Sequence, residues 1–61
     1  MSKDKILQVS ERLFFAKTYS DVKLDVIANE LNIQKPSLYH YFKDKKDLFS
    51  QTINFSMANY L

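Results

Sequence analysis

The chain has 61 residues with one proline, no glycine and no cysteine, and its formal charge at neutral pH is +2. This length allows one domain with a small core, and the composition favours helices over hairpins and excludes disulfides and Cys/His metal sites, so no cofactor is expected. The sequence has no glycine-rich phosphate loop and no paired carboxylates in a plausible cleft, which argues against an enzyme. It also has no secretion signal and no apolar run of transmembrane length, which argues against a membrane protein.

The first helix is predicted over residues 3–16, with Ser2 as its N-cap. Its apolar face repeats at helical spacing and consists of Ile6, Leu7, Ser10, Leu13 and Phe14. Val9 and Phe15 lie beside this face, and the sequence leaves open whether they widen the core or are exposed. In the polar connection that follows, over residues 17–21, Tyr19 is expected to pack back onto the core.

The second helix is predicted from Val22 or Lys23 to Leu31, and its inward face is Leu24, Ile27, Ala28 and Leu31. Asn32 suits the left-handed conformation that ends many helices, and Ile33 can then fold back onto the core. Because the next helix starts within two residues, the two helices must cross steeply. This arrangement is a helix-turn-helix.

The third helix is predicted to begin between Gln34 and Pro36, because proline is favourable only in the first turn, and to continue to Phe42. Leu38 and Phe42 are four residues apart and face the core. Charge changes sign along this part of the chain: residues 18–33 carry a net −2 and residues 34–47 a net +2. We interpret the exposed surface of this helix as one that binds DNA.

The fourth helix is predicted from about Lys45 to the chain end, with Asp44 as its N-cap. Its apolar face is predicted to be Leu48, Phe49, Ile53, Met57 and Tyr60. No charged residue occurs from Leu48 to Leu61, which is unusual for a helix with one face in solvent. The outer face of this helix is predicted to include Thr52, Phe55 and Ser56. Either this face packs against something outside this chain, or the helix is an uncharged terminus that frays.

These patterns together resemble the N-terminal DNA-binding domain of TetR-family transcriptional regulators. The resemblance is carried by Ile6-Leu7-x-x-Ser10-x-x-Leu13-Phe14, by Tyr19, by Leu24-x-x-Ile27-Ala28-x-x-Leu31-Asn32-Ile33, and above all by Lys35-Pro36-Ser37-Leu38-Tyr39-His40-Tyr41-Phe42-Lys43-x-Lys45-x-x-Leu48. It implies an all-α, homeodomain-like three-helix bundle over residues 1–61, with a helix-turn-helix at about 23–42. A fourth helix would lead toward a C-terminal domain that is absent from this chain.

The resemblance also implies partners. These are the major groove of double-stranded DNA, a second copy bound through the absent domain to form a homodimer, and a small-molecule inducer bound by that domain. A cytoplasmic, nucleoid-associated bacterial protein is expected. The chain departs from the family at Thr18, where glycine is usual, at Lys23, where a capping threonine is usual, at Val26, where an acidic residue is usual, and at Asn32 and Pro36, where glycine is more frequent. Without the usual capping box, the second helix either starts raggedly or uses Ser20 or Asp21 as its cap.

The candidate DNA contacts fall into two groups. Lys23 and Lys45, at the starts of the second and fourth helices, are expected to bind phosphates, and Tyr39 and His40 resemble the family's phosphate contacts. The candidate base contacts are Gln34, Lys35, Ser37, Pro36 against a thymine methyl, and Asp25, which faces DNA in the family and would accept from cytosine. Each group has a competing interpretation without DNA contact. His40 would then be only solvated, and Lys43, Lys45 and Lys46 would form a solvated corner. Tyr39 and Tyr41 could both be aromatics at the core edge, and we favour DNA contact for Tyr39 and packing for Tyr41.

The function expected on these grounds is that of a ligand-responsive repressor that binds a palindromic operator as a dimer. The alternative is a small helical protein-interaction module, in which the uncharged fourth helix is the binding surface and the helix-turn-helix is only structural. DNA binding that weakens with salt distinguishes the first from the second.

Overall fold

The computed structural model describes residues 2–60, except for the side chain of Tyr60, and the regular secondary structure within them is all helical. The elements are α1 (Lys3–Ala16), a short 3₁₀ helix (Tyr19–Asp21), α2 (Leu24–Glu30), α3 (Lys35–Leu38) and α4 (Lys45–Tyr60). The predicted all-α fold is confirmed. The prediction that Tyr60 lies on the apolar face of the fourth helix falls outside the described residues.

Helix α1 has the bounds and the cap that the sequence predicts. The Ser2 side chain accepts a hydrogen bond from the backbone N–H of Lys5 at 3.3 Å, which satisfies one of the unpaired donors at the helix start. The buried residues are the predicted ones, Ile6, Leu7, Ser10, Leu13 and Phe14. Phe15 is 64% exposed, so it does not widen the core.

Helix α2 starts at Leu24, and Lys23 precedes it without a side-chain capping bond. Of the two predicted alternatives, the uncapped start is therefore the one present: Asp21 accepts a hydrogen bond from the Thr18 hydroxyl instead. Ile27 and Ala28 are buried, whereas Leu24 and Leu31 at the ends of the apolar face are only half-buried.

The turn between α2 and α3 is a Schellman motif. Asn32 has φ 58°, in the left-handed region as predicted. The Ile33 N–H donates to the Ala28 carbonyl at 3.0 Å, and the Asn32 N–H donates to the Asn29 carbonyl at 3.1 Å. These two bonds satisfy carbonyls that the end of α2 leaves unpaired, so the chain reverses sharply and α3 begins after two further residues.

Helix α3 is shorter than predicted, because its α-helical part ends at Leu38 rather than at Phe42. Beyond it the backbone tightens into successive i to i+3 hydrogen bonds, with the N–H groups of Tyr39, His40 and Tyr41 donating to the carbonyls of Pro36, Ser37 and Leu38. Aromatic residues and histidine are weak helix formers, and four of them follow one another here. Leu38 and Phe42 are nevertheless both buried, as predicted.

Helix α4 is capped by Asp44, as predicted. The Asp44 carboxylate accepts from the Asp47 N–H at 2.8 Å, and the Asp47 carboxylate accepts from the Lys43 N–H at 2.8 Å. The first bond caps the helix, and the second ties the residue before the cap to the first turn. The Lys43 N–H, followed by the Gln51 amide at 3.2 Å, lowers the pKa of Asp47 below its ordinary value of 3.8, because both donors stabilise the ionised carboxylate.

The predicted outer face of α4 is wrong for two of its three residues. Thr52 is completely buried and Ser56 is 8% exposed, whereas Met57, predicted to face inward, is 54% exposed. Burial of these two hydroxyls is tolerated because each has a hydrogen-bond partner. Thr52 donates to the Leu48 carbonyl at 2.7 Å, and Ser56 donates to the half-buried Glu11 carboxylate of α1.

The core lies between the packed pair α1 and α4 on one side and α2 with α3 on the other. It consists of Ile6, Leu7, Leu13, Phe14, Val22, Ile27, Ala28, Leu38, Phe42 and Leu48. An exposed ion pair between Arg12 and Glu30 also connects α1 to the end of α2. The helix-turn-helix is thus positioned by burial of its inner face.

Candidate nucleic-acid interface

An open groove of about 470 Å³ runs between α2 and the start of α3. Its lining brings together three of the predicted base contacts, Asp25, Gln34 and Lys35, although the first and the last are ten positions apart in the sequence. The other lining residues are Ala28, Asn29, Asn32 and Ile33. Amide, amine and carboxylate groups therefore share one concave surface, and such groups can read base edges.

The first turn of α3 presents its side chains to solvent. Gln34 is the N-cap, Lys35 and Pro36 are the first two helical residues, and all three are exposed. Ser37 is half-buried, so it lies deeper than its neighbours. Leu38, only 2% exposed, anchors this turn to the core.

Asp25 and Lys35 are paired with each other. Asp25 Oδ1 lies 3.3 Å from Lys35 Nζ, and both side chains are exposed. The sequence predicts two independent base contacts at these positions and does not indicate their pairing. The sequence feature that could have indicated an ion pair is the opposite charge of two residues at the starts of consecutive helices joined by a tight turn.

The predicted phosphate contacts that follow α3 are accessible to solvent. Tyr39 is 48% exposed and follows the last residue of α3, and His40 is exposed. Tyr41 is half-buried and packs against the core, with its ring centroid 6.3 Å from that of Phe42. The interpretation of Tyr41 as a packing residue is confirmed.

The two lysines predicted to bind phosphates lie where expected, at the starts of α2 and α4. Lys23 is exposed, whereas Lys45 is half-buried. Lys45 Nζ lies 4.4 Å from the centre of the Tyr19 ring, a distance at which the ring's electron-rich face attracts an ammonium group.

Tyr19 belongs to a cluster of three aromatic rings. Its ring stacks on Phe14 at 5.9 Å and meets Phe49 edge-on at 5.1 Å. Tyr19 therefore packs back as predicted, although it remains 41% exposed. Its contact with Lys45 was not predicted, since residues 19 and 45 are far apart in the sequence.

The described residues contain no group of three or more His, Cys, Asp or Glu side chains arranged to hold a metal ion. Within residues 2–60, no helix has both the length and the hydropathy needed to cross a bilayer.

Comparison with known proteins gives a consistent result. The family model described as "Bacterial regulatory proteins, tetR family" matches residues 6–52. The chain is 43% identical over 51 residues to the biofilm operon icaADBC HTH-type negative transcriptional regulator IcaR of Staphylococcus aureus strain Newman, and 35% identical over 51 residues to IcaR of Staphylococcus epidermidis. Both matches cover 84% of this chain, but only 27% and 28% of the relatives. The matched segment thus spans about a quarter of the length of these curated relatives. No solved structure gives a significant match.

Proposed function

Since the chain belongs to the TetR family of bacterial regulatory proteins, a family of DNA-binding transcriptional regulators, we propose that it is the operator-binding domain of a ligand-responsive repressor that binds a palindromic site as a dimer. The observation that carries this proposal is the exposed first turn of α3, where Gln34, Lys35 and Pro36 project from a turn anchored by buried Leu38. A rigidly held helix start with exposed polar side chains suits insertion into a major groove.

The contacts divide by chemistry. Gln34, Lys35, Pro36 and Ser37 read base edges, and Lys23, Tyr39, His40 and Lys45 bind phosphates. Lys23 and Lys45 supply charge from the starts of two different helices, so contacts to the backbone on both sides of the groove fix the orientation of α3.

Dimerisation and inducer binding belong to a C-terminal domain outside these 61 residues. The relatives, which are about three times as long, support this part of the proposal. Repression is proposed because both IcaR proteins are described as negative regulators. A single copy of this chain engages one half-site and therefore binds weakly.

Titration of a labelled duplex at increasing salt tests the proposal. Binding should weaken steeply with salt, and Lys45→Ala should reduce the slope by about 0.9 for every duplex sequence, as expected for one lost phosphate contact. Lys35→Ala should instead change which base pairs are preferred. Lys17→Ala, at the end of α1, removes the same charge outside the helix-turn-helix and serves as the control.

Binding that is absent at low salt, or that is insensitive to salt, contradicts the proposal and favours the protein-interaction module. That alternative relied on an uncharged outer face of α4. The burial of Thr52 and Ser56 removes two of the residues from that face, and exposed Met57 is the main apolar side chain that it gains.

A further inference from the structure

The ion pair between Asp25 and Lys35 crosses the turn of the helix-turn-helix. Asp25 is the second residue of α2 and Lys35 is the first residue of α3. Their side chains are 73% and 45% exposed, and pairs this accessible contribute little to folding because water and salt screen them. The main consequence of the pair is therefore the position of the Lys35 ammonium.

The position of that ammonium decides what it recognises. A lysine without a partner is a flexible point charge that binds any phosphate, and phosphates carry no sequence information. An ammonium has three N–H donors. When one is bound by a carboxylate, two remain for the O6 and N7 acceptors that guanine presents in the major groove.

We propose that Asp25 is a positioning residue that sets base specificity through Lys35, by holding the ammonium at the groove between α2 and α3 and away from phosphates. This inference rests on the proposed DNA-binding function and differs from a direct contact between Asp25 and cytosine. The carboxylate also repels the DNA backbone. Asp25 therefore lowers affinity for all duplexes while it increases discrimination between them.

The composition of the groove supports this role. Among the described residues that line it, Asp25 and Lys35 are the only charged ones. Glu30, at the other end of α2, is paired with Arg12. The groove thus offers Lys35 one anionic partner, and the loss of that partner frees the ammonium.

A double-mutant cycle on the intact chain tests the coupling, with Asp25→Asn, Lys35→Ala and the double variant compared with the parent. Base preference is measured by selection from a duplex pool with a randomised centre. Affinity against salt is measured on a duplex of A·T pairs only, which offers Lys35 no guanine. Asp25→Asn should reduce the guanine preference by about two- to fivefold, the range that an exposed ion pair can supply, and steepen the salt slope on the A·T duplex by about 0.9.

The change in base preference should be absent when Asp25→Asn is introduced into the Lys35→Ala background, since there is then no ammonium to position. The gain in affinity from removing the carboxylate's repulsion of the DNA backbone should persist there for every duplex. Asp4→Asn is the matched control, because Asp4 is likewise the second residue of its helix and carries the same charge. It should leave the base preference unchanged. Circular dichroism verifies folding, and Asp25→Ser replaces Asp25→Asn if the latter is unfolded.

An equal change in preference with and without Lys35 overturns the inference in favour of a direct base contact. An unchanged preference in Asp25→Asn, or a parent that binds without any base preference, also overturns it while leaving DNA binding intact. A parent that shows no salt-dependent binding refutes the proposed function itself. The two failures are therefore distinguishable.

Discussion

Replacement of Ser10 by alanine should stabilise the protein. Ser10 is completely buried in α1, and its hydroxyl has no hydrogen-bond partner among the described residues. A buried hydroxyl without a partner costs about 1–3 kcal/mol, and alanine gains about 0.5 kcal/mol in helix propensity. The lost packing of one oxygen atom offsets about 0.5–1 kcal/mol. A net gain of about 1 kcal/mol raises the melting temperature of a domain of this size by about 4–8 °C.

Ser56→Ala is the matched control, because Ser56 is also a buried helical serine but donates to Glu11. Its loss should destabilise the protein by about 1 kcal/mol, since a hydrogen bond to a charged acceptor is removed. Both variants are compared by thermal and urea unfolding followed by circular dichroism. If Ser10→Ala is destabilised as much as Ser56→Ala, the Ser10 hydroxyl is hydrogen-bonded in solution and the reasoning fails.

Three further predictions concern single contacts. The Lys43 N–H holds the pKa of Asp47 below 3.8, so the Asp47 carboxylate stabilises the fold at neutral pH and this contribution is lost as pH falls below about 4. The melting temperature of Asp47→Asn should therefore vary less with pH in that range than that of the parent protein. An equal pH dependence of the two melting temperatures would refute this prediction. Asn32→Ala should cost about 1 kcal/mol in chemical unfolding, whereas Asn32→Gly should not, because φ is 58° at this position. Tyr19→Leu should broaden the distribution of Lys45 side-chain conformers measured by NMR, because the ring face no longer attracts the ammonium. An unchanged distribution would show that the Tyr19 ring does not hold Lys45.

Local signals were sufficient to predict most of the fold. Ser2, Asn32 and Asp44 each act at a helix end through a bond within four residues, and each was assigned correctly. The buried faces of α1 and α2 follow from apolar spacing, and the same spacing places Ser10 on the buried face of α1. The length of α3 was overestimated, since a buried Phe42 fits both an α-helix and the tighter turn that follows Leu38.

Apolar spacing failed where polar atoms have partners inside the protein. The predicted face of α4 treated hydroxyls as outward-facing, but Thr52 bonds its own helix and Ser56 bonds α1. Likewise, the sequence placed Asp25 and Lys35 on one surface without indicating their ion pair, and it did not connect Lys45 with Tyr19. These contacts depend on how distant segments meet in space, which residue spacing alone does not specify.

Under the proposed function, the short length of α3 limits how many base pairs one domain can recognise. Four helical residues extend about 6 Å along the helix axis, and successive base pairs are about 3.4 Å apart, so the side chains of this turn span about two steps of the duplex. Two fully distinguished steps select one sequence among about sixteen. A binding site that is unique within a genome therefore requires base contacts by several copies of the domain at fixed spacing, or additional specificity from the bending of the intervening DNA.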